Sequence, residues 1–310
     1  MDHIYDLIIL GGGPAGLSAA LYAGRSRLDT LLLEQGAGGG QIAITSELEN
    51  YPGSPENDSG ADLIARMTRQ ADQFGAQRIS DTITAADLTG DVKTFTGDKE
   101  TYKARSVILA TGAVPRPMGC PGEGEFAGRG VSYCATCDAN FFRNLEVFVV
   151  GGGNSAAEEA LYLTKFARKV TVIHRRDALR ATKSVQEKLF ASEKVSFLWD
   201  SRVLSLSGDG LLSHMEVENV KTGAITQIDA DPKDKVFGVF VFIGLSPRTD
   251  LFAGQVTLQD GYVPTDEKMQ TNLPGVYAAG DVRVTPLRQV VTAVSDGAIA
   301  ATMAEGYLNR

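Results

Sequence analysis

Short runs of consecutive apolar residues, several of them closed by glycine, recur along the chain. Such a run, bounded by turn residues, predicts a strand buried on both faces of a parallel sheet. Segments with apolar residues three or four positions apart follow several runs and predict amphipathic helices. The predicted strands are 6–10, 30–33, 106–109, 144–150, 169–173, 239–243 and 275–279, and the predicted helices are 17–23, 62–74, 157–163 and 288–307. This alternation predicts an α/β fold.

Two other stretches alternate apolar and polar positions, which is typical of strands with one exposed face. Residues 76–102 predict a small antiparallel addition to the first part of the chain. Residues 195–231 predict a strand-rich insert in the second part, with turn residues at 207–210. Trp199 and His214 lie in this insert, and we assign structural roles to both.

The first predicted strand runs directly into a glycine-rich turn. Gly11, Gly13 and Gly16 fit the pattern G-x-G-x-x-G between a strand and a helix, the setting in which this motif binds the pyrophosphate of a dinucleotide. Glu34 ends the next predicted strand, 23 residues after Gly11. A carboxylate there suits the hydroxyls of a ribose and repels a 2′-phosphate. The alternative, an ordinary turn beside a surface glutamate, requires several coincidences at once.

A second turn of the same kind follows the strand at 144–150. Its three motif positions are taken by Gly151, Gly153 and Ala156. His174 lies 23 residues after Gly151, where the first turn has its glutamate, and it is followed by Arg175, Arg176 and Arg180. Guanidinium groups match the oxygens of a 2′-phosphate. We therefore predict FAD at the first turn and NADPH, rather than NADH, at the second; a solvated basic start to a helix is the alternative.

The two halves of the chain also close in a similar way. Gly112-Ala113-Val114-Pro115-Arg116 follows a strand in the first half, and Gly244-Leu245-Ser246-Pro247-Arg248 follows one in the second. This repetition predicts two similar Rossmann-like dinucleotide-binding domains. The last predicted strand and helix complete the first fold, so the second domain is inserted into it. The predicted FAD domain comprises 1–116 and 247–310, and the predicted NADPH domain 117–246.

A pair of cysteines lies between the two turns. Cys134 and Cys137 form a C-x-x-C pattern, and Asp138 follows directly. Such a pair can cycle between dithiol and disulfide, and the neighbouring carboxylate can move the protons of that chemistry. Half a zinc site is the alternative, with Cys120 and a histidine as further ligands, but no second paired spacing supports it. The flanking turns favour the redox role, and we predict no metal; Cys120 is interpreted as a small loop residue.

Composition limits the remaining classes of function. The 310 residues carry a net charge of -8 and no lysine- or arginine-rich block, which argues against binding to nucleic acid or to a membrane surface. The longest apolar stretch is well short of the ~20 residues that span a bilayer, and the first residues lack a secretory pattern. We therefore expect a cytoplasmic protein, in which a cysteine pair is more often catalytic than structural.

Together these motifs resemble those of the low-molecular-weight, bacterial-type thioredoxin reductases. The resemblance covers essentially the whole chain and rests on Cys134-Ala135-Thr136-Cys137-Asp138, on the turn at 151–156 and on the basic residues at 174–180. It implies a homodimeric, NADPH-dependent flavoenzyme that reduces the disulfide of thioredoxin. Cys137 would face the flavin, Cys134 would attack thioredoxin, and Asp138 would be the acid/base. The NADPH domain would rotate about 115–117 and 245–247.

The same resemblance and the loops around the two turns define the candidate cofactor sites. The candidate FAD residues are Gly11, Gly13, Pro14, Ala15, Gly16, Glu34, Gln35, Gly40, Gln41, Asn50, Ala110, Thr111, Gly112, Gly280, Asp281, Arg288, Gln289 and Val290. The candidate NADPH residues are Gly153, Asn154, Ser155, Ala156, His174, Arg175, Arg176 and Arg180. We expect the N-terminal dipole of the last helix to support negative charge on a reduced flavin.

The chain departs from the usual family pattern at two places. Ala139 stands where the family usually has glycine, and Val294-Ser295 replace a usual Ala-Gly; neither change touches a group that does chemistry. The alternative functions are a reductase of another thioredoxin-like or glutaredoxin-like protein, and a thiol-independent ferredoxin- or flavodoxin-NADP reductase. A ferredoxin-dependent or oxidase relative is expected to lack the arginine cluster, and a redox-sensing binding protein is the non-enzymatic alternative.

Overall fold

The computed structural model describes residues 3–36, 38–44, 48 and 50–310, without the side chains of Ile44, Thr136 and Cys137. Met1–Val114 and Ser246–Arg310 form one compact unit, called unit 1, and Pro115–Leu245 form another, called unit 2. Unit 2 is therefore a continuous insertion into unit 1.

Before the insertion, unit 1 contains helices α1 (Pro14–Arg25) and α2 (Gly60–Gln73). Its strands there are β1 (Ile4–Leu10), β2 (Thr30–Glu34), β3 (Gln77–Ser80), β4 (Ile83–Asp87), β5 (Lys93–Gly97) and β6 (Thr101–Leu109), and β7 (Ala113–Pro115) leads into unit 2.

Unit 2 contains helices α3 (Ala135–Asp138), α4 (Asn154–Leu163) and α5 (Lys183–Phe190). Its strands are β8 (Val131–Ser132), β9 (Glu146–Val150), β10 (Lys169–Ile173), β11 (Val195–Leu198), β12 (Ser201–Asp209), β13 (Leu211–Asn219), β14 (Ile225–Asp229) and β15 (Gly238–Val241). The chain returns to unit 1 through β16 (Leu245–Pro247) and ends with β17 (Val276–Ala278) and α6 (Val290–Leu308). In the described part of the chain, no helix has the length and apolarity of a membrane span.

The sheet of unit 1 has the order β3-β2-β1-β6-β5-β4, with β17 beside β6. Strands β2, β1, β6 and β17 run parallel, whereas β4 and β5 are antiparallel additions at one edge. Alternate residues of β1 enter two cores: Leu7 and Ile9 pack with α1 and α6, and Ile8 and Leu10 pack on the opposite face. Both faces are covered, which is why these strands are continuous apolar runs.

Unit 2 also has a parallel sheet that is buried on both faces, but different elements pack on those faces. Its parallel sheet has the order β11-β10-β9-β15-β8. Val147 and Val149 of β9 pack against α4, whereas Phe148 and Val150 pack against residues of β12 and β13. The antiparallel sheet β12-β13-β14 therefore covers the face that α4 leaves open.

The predicted α/β fold with parallel sheets is confirmed, and so are the antiparallel addition within 76–102 and the strand-rich insert within 195–231, whose strands are antiparallel. Element ends differ from the prediction where caps decide them. Helix α1 begins at Pro14 rather than 17, because proline is well suited to the first helical position. Helix α6 begins at Val290 because Gln289 is still extended, with φ -142° and ψ 162°. Helix α5 was not predicted.

Helix α4 carries a carboxyl group that folding partly removes from water. The Oε2 atom of Glu159 is buried and has no hydrogen-bond partner among the described residues. Burial, with a smaller contribution from Glu158, raises the pKa of Glu159 from 4.5 to about 7. Between these pH values the folded protein binds a proton at Glu159 that the unfolded chain has released, so the stability due to this group falls as the pH rises.

The close approach of α1 to β1 predicts a large effect at Gly16. A Cβ atom there would overlap the carbonyl oxygen of Gly11, so Gly16→Ala should lower the free energy of unfolding by about 2–3 kcal/mol. Gly306→Ala in α6 is the matched control, since nothing lies within 4 Å of its added Cβ; it should gain up to about 1 kcal/mol. Urea unfolding measures both, and equal effects of the two substitutions would contradict the packing argument.

The raised pKa of Glu159 predicts a pH-dependent gain from Glu159→Gln. At about pH 8 the wild-type protein holds a partly buried carboxylate, so the variant should be more stable by roughly 1–3 kcal/mol. At about pH 4 the wild-type carboxyl is largely protonated in both the folded and the unfolded protein, so the stability difference between variant and wild type should disappear. Urea unfolding at the two pH values is the measurement, and Glu187→Gln, at an exposed glutamate of α5, is the control. A gain of the same size at both pH values would refute the assignment.

Candidate functional site

The turn between β1 and α1 brings backbone against backbone. Gly11 has φ +110°, and a Cβ atom there would overlap the carbonyl oxygen of Ala110. Helix α1 begins with Pro14 after Gly13, and no side chain of the described residues caps its first turn. The N–H groups of that turn remain available to an anion. Ala15 and Gly16 are buried inside the turn, so they shape it rather than face solvent.

Glu34 lies at the end of β2 and packs against the second glycine of this turn. A Cβ atom on Gly12 would overlap its carboxylate, and the Gly12 N–H donates a hydrogen bond to it. Burial raises the pKa of Glu34, while this hydrogen bond and the positive charges of Arg248 and Arg78 act in the opposite direction. A carboxylate held here can accept hydrogen bonds from ribose hydroxyls.

The turn between β9 and α4 has the same construction. Gly151 has φ +151°, and a Cβ atom there would overlap the carbonyl oxygen of Phe242. Ala156 is buried at the third motif position, whereas Asn154 and Ser155 are exposed at the start of α4. The Asn154 Oδ1 atom accepts a hydrogen bond of 2.7 Å from the Thr182 N–H. A Cβ atom added to Gly153 would have no described atom within 4 Å, so this part of the backbone is accessible to a ligand.

His174 occupies at the second turn the position that Glu34 has at the first. A Cβ atom on Gly152 would overlap the imidazole ring, which is 5% exposed. Burial first, and then the positive charges of Arg180 and Arg176, lower the pKa of His174. Its Nε2 atom is buried and has no hydrogen-bond partner in the described part of the chain. The side chains of Arg175, Arg176 and Arg180 are exposed around it.

Trp199, the residue after the neighbouring strand β11, packs against His174. The two rings lie edge to face with centroids 6.5 Å apart, and Trp199 in turn stacks on Phe197 at 4.7 Å. The backbone of His174 is held from both sides, since its N–H donates to the Leu198 oxygen and its oxygen accepts from the Ser201 N–H. The structural role predicted for Trp199 is therefore linked to the position of His174.

Backbone hydrogen bonds repeat between the two units. The Gly11 N–H donates to Leu33 over 2.8 Å, and the Gly151 N–H donates to Ile173 over 3.1 Å. At the closing segments, the Arg248 N–H donates to Gly112 over 3.0 Å, and the Arg116 N–H donates to Gly244 over 2.9 Å. The overlay of the two halves predicted from residue spacing therefore has a counterpart in the backbone geometry.

A glycine-rich loop lies beside the first turn. Gly40 has φ +66°, and its added Cβ atom would be 3.3 Å from Gly13, so the two backbones approach closely. The Gln41 side chain donates to the Ala113 oxygen over 2.5 Å. Gln35 is exposed after β2. The Asn50 side chain donates to Gln289 Oε1 over 3.0 Å, which joins this loop to the start of α6.

Asp281 follows β17 and so belongs to unit 1, like the first turn. Burial raises the pKa of Asp281, and the charge of Arg288 opposes the shift. Asp296 of α6 accepts hydrogen bonds from the Gly280 N–H at 3.1 Å and from Arg283 at 2.6 Å. Sequence reasoning missed this support, because nothing in the spacing of Asp296 shows that it reaches back to Gly280.

Arg288 is held over an aromatic ring. Its guanidinium lies 4.1 Å from the ring centroid of Tyr262, and its Nε atom is buried with no hydrogen-bond partner among the described residues. Thr111, two residues after the end of β6, donates its hydroxyl hydrogen to the Arg248 oxygen over 2.6 Å. Gln289 precedes α6, and its N–H donates to Thr292 Oγ1 over 3.2 Å.

The redox motif begins with Cys134, two residues after β8, and continues through α3. Cys134 is disulfide-bonded, and Cys120 is a free, half-buried thiol. The side chain of Cys137 lies outside the described residues. Asp138 is half-buried at the end of α3, and its N–H donates to the Cys134 oxygen over 3.2 Å. A disulfide at Cys134 is incompatible with a thiolate zinc ligand at that residue.

These residues fit the two dinucleotides. At both turns the first glycine lies so close to the backbone of a neighbouring segment that a Cβ atom would not fit, and within the described part of the chain no side chain caps the helix that follows. The buried, unpartnered Nε2 of His174 and Nε of Arg288 are donors or acceptors that a ligand can satisfy. An acidic residue at the first turn suits a ribose diol, and basic residues at the second suit a 2′-phosphate.

Known proteins agree with this arrangement. The profile of the pyridine nucleotide-disulphide oxidoreductase family matches residues 5–297. A thioredoxin reductase of Peptoclostridium acidaminophilum is 56% identical over 309 residues, which cover 99% of this chain and 98% of the relative. One from Listeria monocytogenes is 48% identical, covering 99% and 95%. The crystal structure of Lactococcus lactis thioredoxin reductase is 43% identical with a TM-score of 0.86, covering 98% and 99%.

Family profile, full-length relatives and solved structure all match over nearly the whole chain, across both dinucleotide turns and the cysteine motif. The chain belongs to the pyridine nucleotide-disulphide oxidoreductase family and, within it, to the low-molecular-weight, bacterial-type thioredoxin reductases.

Proposed function

We propose that this chain reduces the disulfide of thioredoxin with electrons from NADPH, by way of bound FAD and a redox disulfide of its own. The observation that carries the proposal is the disulfide at Cys134, which lies in the same unit as the turn with the basic residues. A thiol-independent ferredoxin- or flavodoxin-NADP reductase has no use for that bond. The full-length similarity to thioredoxin reductases supports thioredoxin as the partner.

In unit 1, the residues at the first turn would hold FAD. The uncapped N-terminus of α1 would bind the pyrophosphate, and Glu34 would accept hydrogen bonds from the adenosine ribose. Asp281, held by the hydrogen bond between Asp296 and Gly280, would accept from the ribitol chain. The flavin supplies the two-electron carrier between the nicotinamide and a disulfide. The N-terminus of α6 would stabilise negative charge on it.

In unit 2, the residues at the second turn would hold NADPH. The start of α4, from Asn154 to Ala156, would bind the pyrophosphate. Arg175, Arg176 and Arg180 would bind the 2′-phosphate, where a carboxylate like that of Glu34 would repel it. His174 is kept neutral by burial and by the neighbouring arginines, which lower its pKa. It would therefore contribute hydrogen bonding rather than charge.

The chemistry on thioredoxin would belong to Cys134, Cys137 and Asp138. In the reduced enzyme the Cys134 thiolate attacks one thioredoxin sulfur, and the other thioredoxin sulfur leaves as a thiolate. Cys137 then attacks the Cys134 sulfur, which restores the internal disulfide and releases the second thioredoxin thiolate. The two electrons of the dithiol end on thioredoxin, and Asp138 moves the protons that these thiolates gain and lose.

The resemblance also supplies proposals about assembly and motion. We propose a homodimer, and a rotation of the NADPH domain about the segments 115–117 and 245–247. We further propose a cytoplasmic enzyme, since a reducing compartment keeps a cysteine pair available for turnover.

The direct test is an anaerobic titration of the purified protein with NADPH and, separately, with NADH, followed through the flavin absorbance. NADPH should bleach the flavin at much lower concentration, and added oxidised thioredoxin should restore the colour. A colourless protein that binds no flavin would refute the proposal. Restoration by a glutaredoxin-like protein but not by thioredoxin would identify a different partner.

The dithiol role predicts that Cys134→Ser separates the two half-reactions. NADPH should still reduce the flavin, because the nucleotide and flavin sites are intact, whereas thioredoxin turnover should fall by at least about 1000-fold because the attacking sulfur is missing. Stopped-flow flavin reduction and a thioredoxin assay measure the two steps. Cys120→Ser, which removes the free thiol, is the control and should retain turnover. Normal turnover in Cys134→Ser would contradict the role.

The phosphate role predicts a change in cofactor preference on removing Arg176 and Arg180. The double alanine variant should raise the KM for NADPH by roughly 10- to 100-fold, because charge-assisted hydrogen bonds to the 2′-phosphate are lost. The KM for NADH, which lacks this phosphate, should change little. Steady-state kinetics with both nucleotides is the measurement. Arg202→Ala, an exposed arginine of unit 2 paired with Glu218, is the control; equal losses with NADPH and NADH would argue against the assignment.

A further inference from the structure

A buried carboxylate in unit 2 is not used by the chemistry above. Glu123 is 4% exposed. One of its oxygens accepts from the Met118 N–H over 2.8 Å, and the other accepts from the Gly119 N–H over 2.7 Å. Tyr133 donates its hydroxyl hydrogen to the first oxygen over 2.7 Å. All three partners are donors, which suits a carboxylate that accepts at both oxygens.

The position of Glu123 is itself fixed by the strand beside it. The Leu206 N–H of β12 donates to the Pro121 oxygen over 3.0 Å, and the Phe126 N–H donates to the Gly122 oxygen over 3.0 Å. A Cβ atom on Gly122 would overlap the Leu206 carbonyl oxygen, so this loop is pressed against β12. Glu123 is therefore a rigid anchor for whatever it binds.

What Glu123 binds is the residue next to the reactive cysteine. Tyr133 directly precedes Cys134. Burial, followed by the hydrogen bond to Glu123, raises the pKa of the Tyr133 hydroxyl, so the phenol keeps the proton that it donates. On the other side, Ser132 Oγ accepts from the Cys134 N–H over 3.0 Å and donates to the Cys134 oxygen over 3.1 Å. Ser132 and Tyr133, the two residues before Cys134, are thus each held by hydrogen bonds.

We propose that Glu123 and Tyr133 are positioning residues for Cys134, which hold its backbone in one place whether its sulfur is in the disulfide or in the dithiol. This inference rests on the proposed function of the same cysteine. The effect is entropic. Reduction of a disulfide frees the chain around it, and that gain in conformational entropy favours the dithiol. An anchor that restricts the loop without help from the disulfide removes part of the gain, and so makes the dithiol the stronger reductant.

Removing the anchor therefore has a defined direction. In Tyr133→Phe the ring still fills its place, but the hydrogen bond to Glu123 is lost, and Glu123 retains both backbone donors. The dithiol state should gain freedom, and the equilibrium constant for reduction of the disulfide should rise about tenfold, which corresponds to about 30 mV for a two-electron couple. The variant dithiol should reduce thioredoxin less completely at equilibrium.

The experiment equilibrates the flavin-loaded, full-length protein with mixtures of reduced and oxidised dithiothreitol. Dithiothreitol gives two electrons and two protons to the disulfide and becomes its own cyclic disulfide, so the exchange balances without any other reactant. An acid quench, alkylation of free thiols and mass spectrometry then give the fraction of dithiol. Because neither NADPH nor thioredoxin takes part, the measurement remains valid even if thioredoxin is not the partner.

A matched control exists in unit 1. Tyr102 donates to a buried carboxylate, Asp81, over 2.9 Å, so Tyr102→Phe removes the same kind of bond far along the chain from the cysteine motif. Only Tyr133→Phe should shift the equilibrium. Glu123→Gln, which leaves one N–H partner facing an amide donor, is a second variant and should shift it in the same direction. A Tyr133→Phe equilibrium within about twofold of wild type, or an equal shift in Tyr102→Phe, would overturn the proposal.

A second readout separates positioning from general destabilisation. The rate of flavin reduction by NADPH should be unchanged in Tyr133→Phe, since the nucleotide residues are untouched. A loss of flavin reduction together with the shift would indicate a disturbed unit rather than an anchor, and would count against the proposal.

Discussion

This structure depends on one constraint: at the glycine-rich turns, backbone packs directly on backbone with no room for a Cβ atom. At Gly16 and Gly11 it brings α1 against β1, and the backbone carbonyl of Ala110 closes the turn from the neighbouring strand. Because α1 packs this closely on β1, its N-terminus points to the space just beyond the end of the strand, where an anion can bind. A side chain here would separate helix from strand and remove the space in which a pyrophosphate can be bound.

The two turns share one backbone construction and differ most in the charged groups beside it. Glu34 and His174 both lie over the middle glycine of their turns, where a Cβ atom on Gly12 or Gly152 would meet them. Burial has opposite consequences for the two groups, since it raises the pKa of the carboxyl and lowers the pKa of the imidazole. In both cases it disfavours the charged form. The positive charge at the second turn therefore comes from exposed arginines rather than from the buried ring.

The fold was largely predictable because it depends on local patterns. Strands such as β1 and β9 are apolar runs ended by glycine, and the equal spacing of Glu34 and His174 from their turns follows directly from the repeated architecture. Contacts between distant residues were not predictable. Asp296 reaches back to Gly280, and Glu123 reaches forward to Tyr133, but neither pair has a spacing or residue pattern that distinguishes it from surface polar residues. Their partners become apparent only when side chains converge in three dimensions.

The repeated turn also suggests how a chain with two nucleotide-binding folds can evolve. Each turn owes its shape to glycines and to backbone hydrogen bonds, whereas the charged residues that differ between the two units lie at and after the end of the following strand. Shape and preference are thus encoded at separate places. After duplication of an ancestral nucleotide-binding fold, one copy could exchange a carboxylate for an imidazole and basic neighbours without disturbing the backbone it inherited. Divergence of the two cofactor sites would then have required few changes, none of them at the glycines that shape the turn.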